Sequence, residues 1–197
     1  MTQAEAFIKD LDSRWKGGPA KVRLPFIGSA ALFLQTSYDR GTKDSDIWET
    51  SALTKEIKEA LLQLAGKGSL LHEKHKIYLD IVINGLPFLP QPPRFHPLTS
   101  INKGLKHFHV EVLDVVDVCV SKLARFKQDD VSDISAMVKA KLVPHKEFLA
   151  QFTSALDASS MGAEADRFSK YIKNFRTVER DFYNLPETEI DPPSWAG

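Results

Sequence analysis

Alternating apolar and polar residues mark several short segments of the chain as strands. Every second residue is apolar in Val22–Phe26, and the alternation stops at Gly28, which is typical of a half-buried strand and its end. The segment Lys76–Asn84, KIYLDIVIN, is rich in β-branched residues and alternates in the same way. Phe108–Leu113 repeats the pattern, and Asp44–Trp48 is a shorter candidate. Together these segments predict a small sheet.

Apolar residues three and four positions apart predict helices along much of the remaining chain. This spacing occurs in Thr2–Lys16, in Ser51–Gly66 and in four successive segments of the C-terminal half: Val115 to about Phe126, one beginning near Gln128, Pro144–Asp157 and Gly162–Tyr183. The segment Gly85–Thr99 carries five of the eleven prolines. We expect a loop there, because proline lacks the N–H group that helices and central strands require.

The order of these elements predicts an α+β protein with a small mixed sheet flanked by helices and a C-terminal helical subdomain. A chain of 197 residues is long enough for one domain with an extension or for two small lobes. We expect a core over residues 1–113 and a helical subdomain over residues 114–183 that closes a cleft. Residues 184–197 are expected to form a tail, since they are acidic and contain prolines.

Composition narrows the function classes. Twenty-six basic and 26 acidic residues give a formal net charge of zero, which argues against a strongly basic, dedicated nucleic-acid binder. The single cysteine, Cys119, excludes an intramolecular disulfide and favours a cytoplasmic setting. Neither an apolar run of membrane-spanning length nor a signal-peptide core is present in the sequence, so we expect no association with a membrane.

The most informative chemistry lies between the first two predicted strands. Gly28 and Ser29 open a short apolar helix, and a Gly-Ser turn at a helix start leaves backbone N–H groups available to a phosphate. Asp44 and Asp46 follow, and alternation along a strand places both on one face. Adjacent carboxylates repel each other unless a cation lies between them, and oxygen ligands favour Mg²⁺ or Mn²⁺. Without the aspartates, the Gly-Ser pair would indicate only an ordinary strand-to-helix turn.

Two further residues are open to two interpretations. Asp80 is the only acid in its apolar strand, and it is either a solvated carboxylate at a sheet edge or a third metal ligand beside the first pair. Arg40 precedes the aspartates and is suited either to contact a triphosphate or to form a structural salt bridge with Asp44 or Asp39. The sequence alone leaves both pairs of alternatives open.

At these residues the chain resembles the DNA polymerase β-like nucleotidyltransferase superfamily, whose signature is a Gly-Gly or Gly-Ser turn, a helix, Asp-x-Asp and a later carboxylate. The sequence RGTKDSD at residues 40–46 is most similar to small bacterial nucleotidyltransferases of the abortive-infection toxin type. The resemblance implies a polymerase β-like fold and a Mg²⁺-dependent enzyme that uses ATP or another NTP. It also implies metal ligation by Asp44, Asp46 and Asp80, with an RNA 3′ end as acceptor and a cognate antitoxin as partner.

A second stretch carries the same resemblance. Residues 117–125, DVCVSKLAR, followed by DVSDI at residues 130–134, are similar to a Lys-Leu-x-Arg helix and the helix start after it in that family. The resemblance implies that Lys122 helps to hold the nucleotide phosphates and that Asp130 or Asp133 orients either Lys122 or the acceptor. The alternative is an ion pair between Lys122 and Asp133 that joins two packed helices and has no catalytic role.

Two function classes therefore remain. The first is a nucleotidyltransferase that moves a nucleoside monophosphate from an NTP to an acceptor hydroxyl. The second is a catalytically silent nucleotidyltransferase-fold module that binds RNA or a protein partner. A basic stripe on the last predicted helix is either a solvated flank or a contact for an RNA backbone; it comprises Lys170, Lys173, Arg176 and Arg180.

Overall fold

A computed structural model describes residues 2–18, 20–38, 41, 43–83, 88–159 and 165–190. The chain forms two compact units. The first, here called the sheet unit, comprises Met1–Gly85 and Phe95–Leu113, and the second, the helical unit, comprises Leu86–Arg94 and Asp114–Gly197. The three-part division expected from the sequence stays a prediction.

The sheet unit contains a mixed five-stranded sheet in the order β3-β2-β1-β5-β4. Its strands are β1 (Val22–Phe26), β2 (Asp44–Trp48), β3 (Tyr78–Val82), β4 (Phe95–Pro97) and β5 (Phe108–Leu113). The pairs β1–β5 and β2–β3 are parallel, whereas β1–β2 and β4–β5 are antiparallel. The mixed sheet and its flanking helices confirm the predicted α+β class.

The described residues of the sheet unit include the helices α1 (Gln3–Arg14), α2 (Gly28–Gln35), α3 (Lys55–Ala65), α4 (Leu70–His75) and α5 (Thr99–Asn102). Helix α1 begins with a capping box, in which the Thr2 hydroxyl accepts from the Glu5 N–H and the Glu5 carboxylate accepts from the Thr2 N–H. Further along α1, the buried Asp12 carboxylate accepts the backbone N–H groups of Lys106, His107 and Phe108 at 2.8 to 3.2 Å. Asp12 therefore fixes α1 to the start of β5.

The helical unit packs around phenylalanine side chains. Its helices are α6 (Val115–Arg125), α7 (Gln128–Lys139), α8 (His145–Ala158) and α9 (Ala165–Val178), and α9 continues into a π-helical turn, Glu179–Tyr183. Phe152 of α8 stacks on Phe175 of α9 with ring centroids 4.5 Å apart. Phe88 lies 5.7 Å from Phe152 and 4.6 Å from Tyr171. These ring contacts explain why the segment before β4 groups with the helices.

The proline-rich segment differs from the predicted loop, because it contains the short strand β4. Phe95 pairs with Leu113, and Pro97 pairs with Glu111, on the outer side of β5. Proline is tolerated there because an edge strand does not need every N–H group for its ladder.

The sequence pattern did not predict helices α4 and α5, since six and four residues are too few to show a helical period. Among the described helices, none has the length and apolar character needed to cross a membrane.

Candidate active site

The register between two neighbouring parallel strands brings the predicted aspartates together. Asp46 of β2 pairs with Asp80 of β3, and Asp44 pairs with Tyr78. Paired strands lie about 4.8 Å apart and residues i and i+2 share a face, so all three carboxylates project from the same side of the sheet. The intervening residues Ser45 and Leu79 are buried on the other side. The strand pair thus presents three acids on one face and a packed surface on the other.

Gly28 lies against this cluster. Its φ is 60°, in the left-handed region that favours glycine, and a Cβ atom added there would lie 3.3 Å from Oδ2 of Asp46. The preceding residue donates its N–H to the Asp46 carbonyl at 2.9 Å, which ties the start of α2 to β2. Ile27 has no side-chain acceptor to cap α2. The N-terminal end of α2, where the N–H groups of Gly28 and Ser29 lie, carries the positive end of the helix dipole. This end is therefore suited to bind a phosphate.

Asp80 is exposed, and its carboxylate is engaged by its own strand. Oδ1 of Asp80 accepts the N–H of Ile81 at 2.9 Å. Within the described part of the chain, no three His, Cys, Asp or Glu side chains are gathered as closely as a bound metal ion requires. The Oδ1 atom of Asp80 is therefore held by the backbone of its own strand.

The negative charge of the cluster acts on a neighbouring phenol. Burial raises the pKa of Tyr78, and the charges of Asp44, Asp80 and Asp46 raise this pKa further. Tyr78 and Trp48 occupy the alternate positions next to the aspartates on β3 and β2. The sequence interpretation did not assign either residue to the site, although the same two-residue period that selected Asp44 and Asp46 also selects Trp48.

The donor set fits a hard divalent cation such as Mg²⁺ or Mn²⁺. It offers carboxylate oxygens, which these ions prefer, and the glycine at position 28 leaves space beside the Asp46 carboxylate. Asp44 and Asp80 are both exposed residues. Arg40, the remaining predicted residue of this region, lies outside the described residues.

Lys122 and Asp133 lie in the helical unit and contact each other. The family resemblance implied a role for them in nucleotide binding, with a structural ion pair as the alternative. Nζ of Lys122 is 2.8 Å from Oδ2 of Asp133 and 3.3 Å from Oδ1 of Asp130. The exposed fraction of the Lys122 side chain is 6%, and that of Asp133 is 0%. Arg125 also binds Asp130, at 2.7 Å. This geometry is that of a buried ion-pair network joining α6 to α7.

Two adjacent parallel strands of the mixed sheet carry Asp-x-Asp and a third aspartate, and a helix with a Gly-Ser start lies beside them. This combination is typical of a nucleotidyltransferase-type protein. The chain belongs to the family described as nucleotidyltransferase of unknown function (DUF6036), whose sequence pattern matches residues 8–182. No curated protein and no solved structure gave a significant match. Family membership confirms the predicted relation to the nucleotidyltransferase superfamily and indicates a transferase.

Proposed function

We propose that the protein is a metal-dependent enzyme that transfers a nucleoside monophosphate from an NTP to an acceptor hydroxyl. The observation that carries the proposal is the pairing of Asp46 with Asp80, with Asp44 on the same face and Gly28 against Asp46. Carboxylates on one face of two adjacent strands repel one another, and a bound cation would relieve this repulsion.

The three aspartates of the cluster are the proposed metal ligands. Asp44, Asp46 and Asp80 would hold Mg²⁺ or Mn²⁺ through their carboxylate oxygens. When bound, the ions neutralise charge on the triphosphate and make the acceptor hydroxyl easier to deprotonate. Alternatively, Asp80 would accept that proton; its exposure and its pairing with Asp46 support this role.

The start of α2 supplies the phosphate contacts. Backbone N–H groups of Gly28 and Ser29 bind the triphosphate, aided by the positive end of the helix. Arg40, which precedes β2 in the sequence, would add a guanidinium contact. Lys122 and Asp133 are not used as phosphate ligands in this proposal, since their buried mutual contact supports the structural alternative. Their role is to hold α6 on α7.

The proposed acceptor is an RNA 3′ end, in the setting of a toxin paired with an antitoxin protein. The motivation is the similarity of residues 40–46 to toxin-type nucleotidyltransferases, together with the basic stripe on α9. An RNA acceptor supplies a terminal hydroxyl and a phosphate backbone for the basic stripe to bind.

The test is transfer of label from α-phosphate-labelled NTP to cellular RNA in the presence of Mg²⁺. Asp46→Asn keeps the shape of the side chain and removes its charge, so we expect loss of transfer with the fold retained. Asp157→Asn, an exposed acid of α8, is the matched control and should transfer at the wild-type rate. Metal-dependent NTP binding without transfer to any acceptor, or transfer by Asp46→Asn at the wild-type rate, would contradict the proposal.

A further inference from the structure

Helix α9 and the π-helical turn after it carry a line of cations beside an open groove. The groove has a volume of about 550 Å³, and its cationic lining consists of Lys173, Arg176 and Arg180. The three- and four-residue spacing places these side chains on one side of the helix. The opposite side is buried, since Phe168 and Phe175 are each 0% exposed. The cations are therefore presented outward by a rigid, well-packed element.

The other wall of the groove is the segment that follows the π-helical turn. The buried Glu179 carboxylate accepts the Thr188 N–H at 2.8 Å and the Thr188 hydroxyl at 2.5 Å. His145 also contacts this carboxylate, at 2.7 Å. Glu179 thus anchors residues 185–190 next to α9, and the segment is held in place by a buried polar contact rather than by surface charge alone.

This anchored segment places one acid among the cations. Oε1 of Glu187 lies 3.1 Å from Nη1 of Arg180, and Arg176 donates to the Thr188 carbonyl at 3.2 Å. Within the described part of the chain, the exposed Lys173 ammonium has no ion-pair partner. The lining of the groove therefore has three positive charges and one negative charge, although the whole chain is neutral.

We propose that this groove binds the phosphate backbone of RNA, with Glu187 moderating the affinity. A helical rise of about 1.5 Å per residue separates the first and last of the three cations by roughly 10 Å along the axis. One phosphate cannot bridge that length, whereas consecutive phosphates of one strand can. This inference rests on the proposed function and extends it by identifying a surface that binds the acceptor RNA. Binding of RNA to this groove can be measured without nucleotide transfer.

The salt dependence of binding gives the expected changes in RNA affinity. For a single strand, the logarithm of the binding constant falls with the logarithm of the salt concentration with a slope of about −0.7 per phosphate contact. Three contacts predict a loss of about 18-fold in affinity between roughly 50 and 200 mM salt, and two contacts predict a loss of about sevenfold. Removing one contact at about 100 mM salt should weaken binding about fivefold.

The experiment measures fluorescence anisotropy of a short, labelled, single-stranded RNA with the full chain at these salt concentrations. Lys173→Gln should weaken binding about fivefold and lower the salt dependence toward the two-contact value. Lys139→Gln, a change of an exposed lysine at the end of α7, should alter Kd by less than about twofold. The pair separates a groove contact from a general effect of net charge.

A second pair of variants removes negative charges and tests for the opposite change in Kd. Glu187→Gln should tighten binding, because it removes the one acid in the groove lining. Glu189→Gln removes the same charge two residues later from a position outside the lining, and should have less than half the effect on the logarithm of Kd. Both pairs test the groove without disturbing the buried Glu179 anchor.

Three results would overturn the inference: equal effects of Lys173→Gln and Lys139→Gln, RNA binding that does not depend on salt, or capture by anionic vesicles instead of RNA. If no variant transfers nucleotides but the groove variants still change Kd as expected, the groove stands and the transferase proposal fails. If RNA is labelled but Kd is unchanged in both groove variants, the transferase proposal stands and the groove fails.

Discussion

Replacing Gly28 with alanine tests the contact between the helix start and the aspartate cluster. Position 28 has φ near 60°, and the added Cβ would lie 3.3 Å from Oδ2 of Asp46. The left-handed backbone conformation costs a non-glycine residue about 1–2 kcal/mol. The contact with Asp46 is tighter than ordinary van der Waals separation, so the carboxylate must also move by a few tenths of an ångström.

Gly68 provides a matched control for this substitution. Its φ is 86°, and a Cβ atom added there would meet nothing within 4 Å. Gly68→Ala should therefore show the backbone penalty alone, whereas Gly28→Ala should show the same penalty and also displace the Asp46 carboxylate, which we propose to bind the metal. For a chain of this size, a loss of 1 kcal/mol lowers Tm by about 2–4 °C.

Thermal unfolding and NTP transfer, measured on both variants, separate the two effects. We expect both to unfold a few degrees below the wild type, and only Gly28→Ala to lose most of its transfer activity. If Gly28→Ala transferred as well as Gly68→Ala, the Asp46 carboxylate would not be needed where the structure places it. The assignment of the start of α2 to the triphosphate would then be wrong.

Other predictions concern the buried polar groups. Asp12→Ala removes the acceptor of three backbone N–H groups, so chemical denaturation should show a loss of about 3 kcal/mol or more. Lys122→Met leaves Asp133 buried without its cation and should cost about 3–5 kcal/mol in the same assay; replacing both partners by apolar residues should recover part of this loss. Burial raises the pKa of Asp130, but the hydrogen bond from Arg125 and the nearby Lys122 charge outweigh burial and leave it below the usual value. The resulting stabilisation is present above the unfolded-state pKa near 3.8 and is lost as pH falls through the lower folded value, so Arg125→Gln should move acid unfolding to higher pH.

The parts of the site that depend on local periodicity were predictable from the sequence. Alternation along β2 placed Asp44 and Asp46 on one face, and alternation along β3 separated Asp80 from the buried Leu79. The pairing of Asp46 with Asp80 is a non-local register, which no local pattern contains. The bond between Asp80 and the Ile81 amide depends on a side-chain torsion and was equally inaccessible.

Packing between distant segments accounts for the remaining differences. Strand β4 exists because β5 offers an edge with which Phe95–Pro97 can pair, although its prolines predicted a loop. Phe88 joins the helical unit through its contact with Tyr171, far along the chain. The partner of Lys122 was named correctly as an alternative, but only the packing of α6 on α7 showed that both side chains are buried.

In the proposed metal-binding site, Asp80 acts together with Asp46. The most direct measurement is the rate of Mg²⁺-dependent nucleotide transfer by Asp80→Asn, with Asp157→Asn as the control. Loss of a residue that only supports a metal ligand already costs about 10–100-fold, so we expect Asp80→Asn to be slower than the wild type by at least about 100-fold. A normal circular dichroism spectrum would show that the fold is intact. Transfer by Asp80→Asn at the rate of the wild type and of Asp157→Asn would contradict the three-carboxylate site.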